Sequence, residues 1–501
     1  MHSLVNITPR GYQESIFETC KNKNTLVILP TGIGKTLLSI LLTIHRLNQF
    51  PNSKALICSP TKPLCNQHLK TFMEKTTIEK DKIILYTGMI KPEEREKIFQ
   101  KATVIIATPQ TIEKDLENNR ISLKNFSVLT IDEAHRSRMD YANTAVAKYY
   151  FSQAENPRLL ALTASPGASK EKIDEIMKNL SIEVVEIRTE KDETIKQYIQ
   201  EKKITWIEVE LPKELNDLAK KLQNVYKERI KKLRNFGITK PSSIISKKDL
   251  IMFQSLMQRE IRRGNNSAFA AISLIAQCLK LSHAIELLET QGLKQFNDFM
   301  SKLSEEKTKA AKSIMSDKEI QETLPVTLSL IERNVLHPKL IELKSIVRTL
   351  IQENKDTKIM VFANYRNTVK EIVSFLKDIP GINPVKLLGQ KEGITQKKQL
   401  QTINDFEQGK YNVLIGTSIM EEGIDILGGA ETAIFYDAVP SEIRRIQRSG
   451  RVGRTKSGSI ICLITKDTRD EAYRWVSYRK EKKMHDLIKD IQDKGKKLSE
   501  F

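Results

Sequence analysis

Short apolar runs that stop abruptly in polar residues alternate with longer amphipathic stretches at both ends of the chain, and the middle shows a different pattern. Between residues 25 and 165 the runs are "TLVILP", "KALICSP", "KIILYTG", "TVIIATP", "SVLTIDEAH" and "LLALTASP", most of them separated by helical segments such as "KTLLSILLTIHRLNQF". Unbroken apolar strands joined by helices are what a parallel sheet buried on both faces requires. A second block, 357 to 465, holds "TKIMVFANY", "PVKLLGQ", "NVLIGTS", "TAIFYDAVP" and "SIICLIT", with no sequence repeat linking it to the first. From about 212 to 335 the strand signal vanishes, and "LAKKLQNVYKERIKKLRNF", "KDLIMFQSLMQREIRRG" and "SAFAAISLIAQCLKLSHAIELLET" carry helical spacing. The pattern predicts an α/β protein with two parallel-sheet units, 1–211 and 336–501, separated by a mostly helical insertion, 212–335. The tail "RKEKKMHDLIKDIQDKGKKLSEF" predicts one more helix, mixed in charge and without assigned chemistry.

At 501 residues the chain exceeds what a single core supports, in keeping with several units. Its 82 Lys and Arg against 62 Asp and Glu give a net charge of +20. Such an excess favours a polyanionic partner, nucleic acid before membrane, with a merely lysine-rich composition as the alternative. Residues 213–263 hold 14 Lys and Arg against 5 Asp and Glu, a local +9 that closes on Arg262 and Arg263. A solvated helical face explains part of this, and two basic helices in succession favour polyanion binding. The five cysteines show neither C-x-x-C nor zinc spacing, which points to a reducing compartment without a disulfide frame or structural metal. The first residues lack an apolar signal core and no run of about 18 apolar residues occurs, so a cytoplasmic protein that does not cross a membrane is expected.

The first apolar run ends in "LPTGIGKT". Gly32 and Gly34, within the loop Thr31-Gly32-Ile33-Gly34, let the backbone turn tightly and approach an anion closely. The residues that follow start a helix whose first amide hydrogens point at that anion. Lys35 would reach the β and γ phosphates of ATP, and the Thr36 hydroxyl would ligand Mg²⁺. The strict pattern wants glycine where Leu29 stands, so a turn that merely contains Gly-Lys-Thr is the alternative. A second element decides between them: Asp132 and Glu133 end a buried apolar run 97 residues after Lys35. Adjacent carboxylates repel unless a cation lies near. Asp132 would hold Mg²⁺ while Glu133 orients and polarises the attacking water.

Together "TGIGKT", "DEAH" and "QRSGRVGRT" resemble the signature of superfamily 2 helicases and translocases, and the resemblance covers nearly the whole chain. It implies two RecA-like motor domains, and the family's phosphate loop often lacks the first glycine. "RGYQ" resembles the adenine-reading segment through Arg10 and Gln13, an ordinary polar turn being the local alternative. Hydrolysis needs positive charge from a facing domain where the transition state gathers negative charge. Arg451 and Arg454 are read as those arginine fingers and Gln447 as positioning the water or γ-phosphate; a plain basic patch is weaker beside Lys35 and Asp132. "GTSIMEEGIDI" resembles the segment linking nucleotide to track, with Gly416 and Thr417 facing a nucleic-acid phosphate and Gly423 and Asp425 toward the ATP cleft. "LTASPG" resembles the coupling segment, with Thr163 and Ser165. "CSPTKPL" (Ser59, Thr61, Lys62), "ATPQTI" (Thr108, Gln110, Thr111) and "FANYRNT" (Asn364, Tyr365, Arg366) resemble the elements that grip one strand through its phosphates. Strand-end turn chemistry is the alternative for the coupling and linking segments.

A narrower resemblance rests on "SPTKPL", "ATPQTIEKDL", "RISLKNFSVLTIDEAHR" and "LTASPG" with the helical insertion: archaeal Hef and the Fanconi-anaemia M translocases. It implies an ATP-dependent DNA helicase or translocase acting on forked or branched DNA, with a thumb-like DNA-binding insertion and with ATP and Mg²⁺ as cofactors. It places the work on nucleoid DNA, with a nuclease or sliding clamp as candidate partners. The archaeal relatives often carry a nuclease; no G-D…E-R-K cluster stands in this sequence, so no cleavage is expected. The alternatives are the same motor on double-stranded RNA, an ATP-switched nucleic-acid clamp, and a restriction-system motor subunit.

Overall fold

All six apolar runs of the first block become strands of one parallel sheet: β1 Thr25–Ile28, β2 Lys54–Cys58, β3 Ile83–Tyr86, β4 Val104–Ala107, β5 Phe126–Ile131 and β6 Leu159–Thr163. The computed structural model describes the chain except for residues 168, 191, 200–201, 241–244, 390–394, 421–429, 439–457 and 499–501. A seventh strand, β7 Val184–Ile187, completes the order β3-β4-β2-β5-β6-β1-β7. Successive side chains point to opposite faces, so Leu26 and Ile28 enter one core while Val27 and Leu29 enter another. The inner strands β1, β4, β5 and β6 are buried at every position, whereas edge strand β7 is fully buried only at Ile187. That half-buried, Glu-interrupted "VVEI" carries no continuous apolar signal, which is why it lies outside the anticipated runs.

The second sheet contains β8 Lys202–Val209, β9 Ile359–Phe362, β10 Pro384–Leu387, β11 Val413–Gly416, β12 Thr432–Phe435 and β13 Gly458–Thr465, all parallel, in the order β10-β11-β9-β12-β13-β8. The 1–211 span places β8 with the first unit, yet it pairs with β13 along its whole length, from Lys202 opposite Gly458 to Val209 opposite Thr465. Its exposed Lys203, Thr205 and Glu208 suit an edge strand and break the apolar pattern. The chain therefore crosses to the second sheet before it enters the insertion.

The insertion packs Lys213–Leu233, Ala268–Thr290, Leu293–Glu305, Lys309–Met315 and Lys318–Glu332 around a core that includes Leu215, Leu222, Leu281, Leu288 and Phe296. Its long helix Ala268–Thr290 is apolar and long enough to cross a membrane by composition, but half of its most apolar window is buried within the bundle. Lys247–Arg262 is the loosest member, with Leu250 its one fully buried residue. A last helix, Arg469–Leu498, starts against the second sheet and carries Met484 into the core of the first.

Candidate functional site

Strand β6 separates β1 from β5, so their carboxyl ends stand two strand spacings apart, roughly 10 Å. Beyond β1, Gly32 (φ +83°) and Gly34 (φ +93°) are left-handed, and Gly34 caps the helix Lys35–Gln49. A side chain on Gly34 would meet Gln13 Nε2 at 2.7 Å, so loop and N-terminal segment interlock. Gln13, 2% exposed, donates through Nε2 to Gly34 O at 3.3 Å and accepts the Arg10 N–H at 2.9 Å. Tyr12 Oη donates to Ile33 O, and the Arg10 guanidinium stacks 4.1 Å from the Tyr198 ring centroid. These residues brace the glycine loop, a task the adenine-reading assignment of Arg10 and Gln13 does not include. Lys35 Nζ donates to the carbonyls of Leu29 and Pro30, each at 3.2 Å. Thr31 and Thr36 are partly exposed beside it.

At the end of β5, Asp132 Oδ1 accepts the Glu133 N–H at 2.9 Å, while Oδ2 accepts the Ser59 hydroxyl at 3.2 Å and His68 Nε2 at 3.0 Å. An ionised carboxylate only accepts, so Nε2 carries the imidazole proton. Burial pushes the Asp132 carboxyl up, but the His68 hydrogen bond and charge, the Lys35 ammonium and the Glu133 amide outweigh it and hold the group below the usual carboxylate range. The effect of Lys35 there joins the glycine loop and the acidic pair in one electrostatic site. Thr36 and Asp132 offer a hydroxyl and a carboxylate, hard oxygen donors that suit Mg²⁺, an ion usually held by one or two carboxylates together with substrate phosphates. Among the described residues no group of three His, Cys, Asp or Glu forms an all-protein metal cage.

Ser59 requires a correction. Expected to grip nucleic acid, it is fully buried with its hydroxyl on Asp132, because β2 lies beside β5. Glu133 adopts a left-handed backbone (φ +51°), a strain of about 1–3 kcal/mol for a residue other than glycine. Its Oε2 lies 3.2 Å from His135 Nδ1, which also lies 3.2 Å from Thr163 Oγ1. Thr163 Oγ1 in turn accepts the Ser165 N–H at 3.2 Å, and Ser165 Oγ donates to Met484 Sδ at 3.0 Å. A continuous path thus runs from the acidic pair through Thr163 and Ser165 to the last helix.

The two sheets' units face each other across a cleft of about 420 Å³, lined by Thr61 from the first and by Asn364, Arg366, Gly389 and Thr417 among others from the second. Four residues from three separate segments of the anticipated phosphate grip meet here. Thr61 caps the helix Lys62–Lys75 through its carbonyl, which accepts the Cys65 N–H at 3.0 Å, while its buried hydroxyl has no hydrogen-bond partner among the described residues. Arg366 Nη2 donates to Gly389 O at 3.2 Å. Gly416 is a second correction: it is buried and absent from the lining, and a Cβ there would sit 2.6 Å from Leu387 O and overlap Met420. Close packing accounts for that glycine. Thr108 and Thr111 bond each other at 2.8 Å beside exposed Gln110, and Lys62 Nζ lies 2.6 Å from Met89 Sδ. Arg262 and Arg263 are exposed, the latter paired with Glu260 at 2.9 Å. Gly423, Asp425, Gln447, Arg451 and Arg454 lie outside the described residues.

His68 and His135 stand outside the anticipated site residues. The sequence carries one sign of His68: it shares a helix stripe with buried Leu64, Cys65 and Phe72, and a polar residue on such a stripe needs a buried partner.

Three family models match consecutive parts of the chain: DEAD/DEAH box helicase over residues 10–176, the helical bundle of a putative ATP-dependent RNA helicase over 213–333, and the helicase conserved C-terminal domain over 340–456. The chain is 39% identical over 497 residues to a putative ATP-dependent RNA helicase of Methanocaldococcus jannaschii, covering 98% of this chain and 62% of that protein. It is 33% identical to the ATP-dependent DNA helicase mph1 of Neurospora crassa, covering 94% of this chain and 42% of that protein. The crystal structure of the Pyrococcus furiosus Hef helicase domain is 41% identical with a TM-score of 0.71, over 94% of this chain and 98% of that one. The chain thus spans no more than 62% of the length of these two curated relatives and nearly all of that crystal structure.

Proposed function

We infer, from a chain that belongs to the superfamily 2 helicases of the Hef, Mph1 and Fanconi-anaemia M type, that it hydrolyses ATP to move along one strand of forked or branched DNA. The observation that carries this reading is the cleft where Thr61 of one unit and Asn364, Arg366 and Thr417 of the other border a single volume. A grip shared between two units changes when they approach, as a stepping motor requires. Its hydroxyl, amide and guanidinium groups suit phosphate and are indifferent to base identity. Lys62, Thr108, Gln110 and Thr111 extend the grip along the strand, and Arg262 and Arg263 contact the branch.

In this mechanism Lys35 and the glycine-loop amides hold the β and γ phosphates, with Arg10, Tyr12 and Gln13 bracing the loop. Thr36 and Asp132 would hold Mg²⁺, which when bound offsets phosphate charge. Glu133 orients and polarises the attacking water, and His135 relays its position to Thr163 and Ser165. Arg451 and Arg454 stabilise the charge of the transition state from the second unit, Gln447 orients the water, and Gly423 and Asp425 border the nucleotide. The working units are 1–211, 212–335 and 336–501, with β8 counted in the last. The protein acts where chromosomal DNA lies, in the nucleoid.

DNA is favoured by the mph1 relative, which is named a DNA helicase. The helical-bundle model and the M. jannaschii relative, both named for putative RNA helicases, favour double-stranded RNA as a second reading. ATP turnover measured with forked DNA, four-way junctions, linear duplex, single strands and double-stranded RNA tests the choice. Strongest activation by forked or junction DNA is expected; activation by RNA alone would transfer the motor to RNA, and a nucleic-acid-independent rate would remove it.

A further inference from the structure

A buried polar cluster that the ATP chemistry does not use joins the insertion to the nucleic-acid grip. Lys339 has no exposed surface, a rare condition for a lysine. Its Nζ donates to Asp470 Oδ2 at 2.9 Å and to Tyr436 O at 3.0 Å, and lies 3.7 Å from Asp437 Oδ1. Asp437, 2% exposed, accepts Gln291 Nε2 on Oδ1 at 2.7 Å and the backbone N–H of Asn364 on Oδ2. Gln291 Oε1 accepts the Thr368 hydroxyl at 2.7 Å.

The positions of these groups matter more than their number. Gln291 directly follows Ala268–Thr290, the long helix of the insertion, while Thr368 stands on the helix Arg366–Lys377. Asn364 and Arg366 line the cleft. One side-chain amide therefore bonds both the carboxylate that fixes Asn364 and the helix that begins at Arg366. A turn earlier on the long helix, Glu286 accepts the Tyr365 hydroxyl at 3.4 Å and lies 3.7 Å from Arg469. Buried polar groups are costly to leave unpaired, so Asp437 cannot turn away without taking the acceptor from Gln291 Nε2 and from the Asn364 N–H. The cluster holds one arrangement of insertion and grip.

We propose that Gln291 is a positioning residue through which DNA held on the insertion sets the geometry of the Asn364–Arg366 grip, with Lys339 fixing the intermediate carboxylate. The proposal rests on reading the insertion and the cleft as nucleic-acid surfaces. Neither Gln291 nor Thr368 touches the reacting groups, so their removal acts on the response to DNA and spares the basal rate.

Gln291→Leu keeps the shape and removes the bonds to Asp437 and Thr368, together with a local one from Nε2 to Thr290 Oγ1 at 2.8 Å. Thr368→Val removes one bond at nearly constant volume, and carries the test if the first variant fails to fold. The expected result is basal ATP turnover within about twofold of the parent, with the forked-DNA concentration for half-maximal turnover raised about tenfold in Gln291→Leu and about threefold in Thr368→Val. A double-mutant cycle then combines each with charge reversal at the insertion, Arg262→Glu with Arg263→Glu. Coupling predicts a combined shift smaller than the product of the separate shifts; shifts that simply multiply would overturn it. Charge reversal alone that leaves fork affinity and its salt dependence unchanged would instead remove the insertion's role in DNA binding, and the coupling with it. Equal loss of basal and DNA-stimulated turnover in both variants would show a merely structural role and would also overturn the proposal.

Discussion

Replacing His68 tests whether the acidic pair depends on a histidine that lies 64 residues away in sequence. His68→Phe fills a site that is 4% exposed but removes the 3.0 Å bond from Nε2 to Asp132. Asp132 keeps the Ser59 hydroxyl and the Glu133 amide, so one of three hydrogen-bond donors is lost. A hydrogen bond to a charged group contributes about 1.5–3 kcal/mol, which converts to roughly 10- to 150-fold. That loss should appear in ATP turnover or in the Mg²⁺ concentration turnover requires, because the carboxylate is no longer held for the ion. His68→Gln restores a donor on a side chain of similar reach and should recover most of the loss. The assay is ATP turnover across a Mg²⁺ titration at saturating forked DNA, beside nucleotide-free DNA binding by fluorescence anisotropy, which should not change. If folded His68→Phe stays within about twofold of the parent throughout, the imidazole only fills space and the reasoning fails.

Lys35→Ala should cut ATP turnover by more than about a hundredfold while nucleotide-free DNA binding persists, and near-normal turnover would dismiss the phosphate site. Arg451→Ala should retain ATP binding and lose most hydrolysis; a collapse of nucleotide affinity with normal turnover of the bound remainder would end the finger assignment. Gly416→Ala drives a methyl to within 2.6 Å of a backbone oxygen. It should lower unfolding free energy by about 3 kcal/mol in chemical denaturation, whereas unchanged stability with weakened DNA binding would return Gly416 to the phosphate grip. His337 has its pKa pushed down to about 3, first by burial and then by the Lys339 charge, partly opposed by the Glu289 carbonyl. The unfolded chain takes up that proton below about 6.5 and the folded chain does not, so stability falls as pH drops from there toward 3, by up to about 1.4 kcal/mol per unit. His337→Asn keeps a helix-capping side chain and should flatten this slope in denaturation series; an unaltered slope would assign the acid lability elsewhere.

The inner strands were legible because a strand buried on both faces must be apolar throughout, and Leu26 to Leu29 or Val104 to Ala107 satisfy that without reference to anything distant. Edge strands carry a weaker demand, so β7 and β8 hid behind Glu186, Lys203 and Glu208. The same division runs through the site. Lys35 and Asp132 stand in local patterns, Gly-Lys-Thr and Asp-Glu, that single them out without reference to distant residues. Ser59 does not: whether a serine at a strand end meets solvent or a carboxylate depends on which strand lies beside it, and the β2–β5 pairing joins residues more than 70 positions apart. Gly416 likewise reads as a flexible turn until Leu387 O and Met420 close around it. Four separated segments supply the cleft, and their convergence is a property of packing alone.

The last helix ties the two sheets' units together. Near its start, Asp470 is bonded to Lys339 in the second unit; 14 residues later, Met484 is buried in the first unit's core beside Ser165. That length of helix spans roughly 21 Å and behaves as a rod, so the units can rotate about its ends but cannot drift apart freely. The ends differ in stiffness. Asp470 is held by a charge-assisted bond with fixed geometry, whereas a methionine thioether tolerates altered packing around it. The Met484 end is therefore the more compliant of the two contacts. Ser165, which meets that end, is bonded to Thr163, and Thr163 to the His135 that faces Glu133. A change at the acidic pair needs to travel only from one strand end to its neighbour to bear on the angle between the units. That short path ends at Ser165, the residue whose hydroxyl meets Met484 on the last helix.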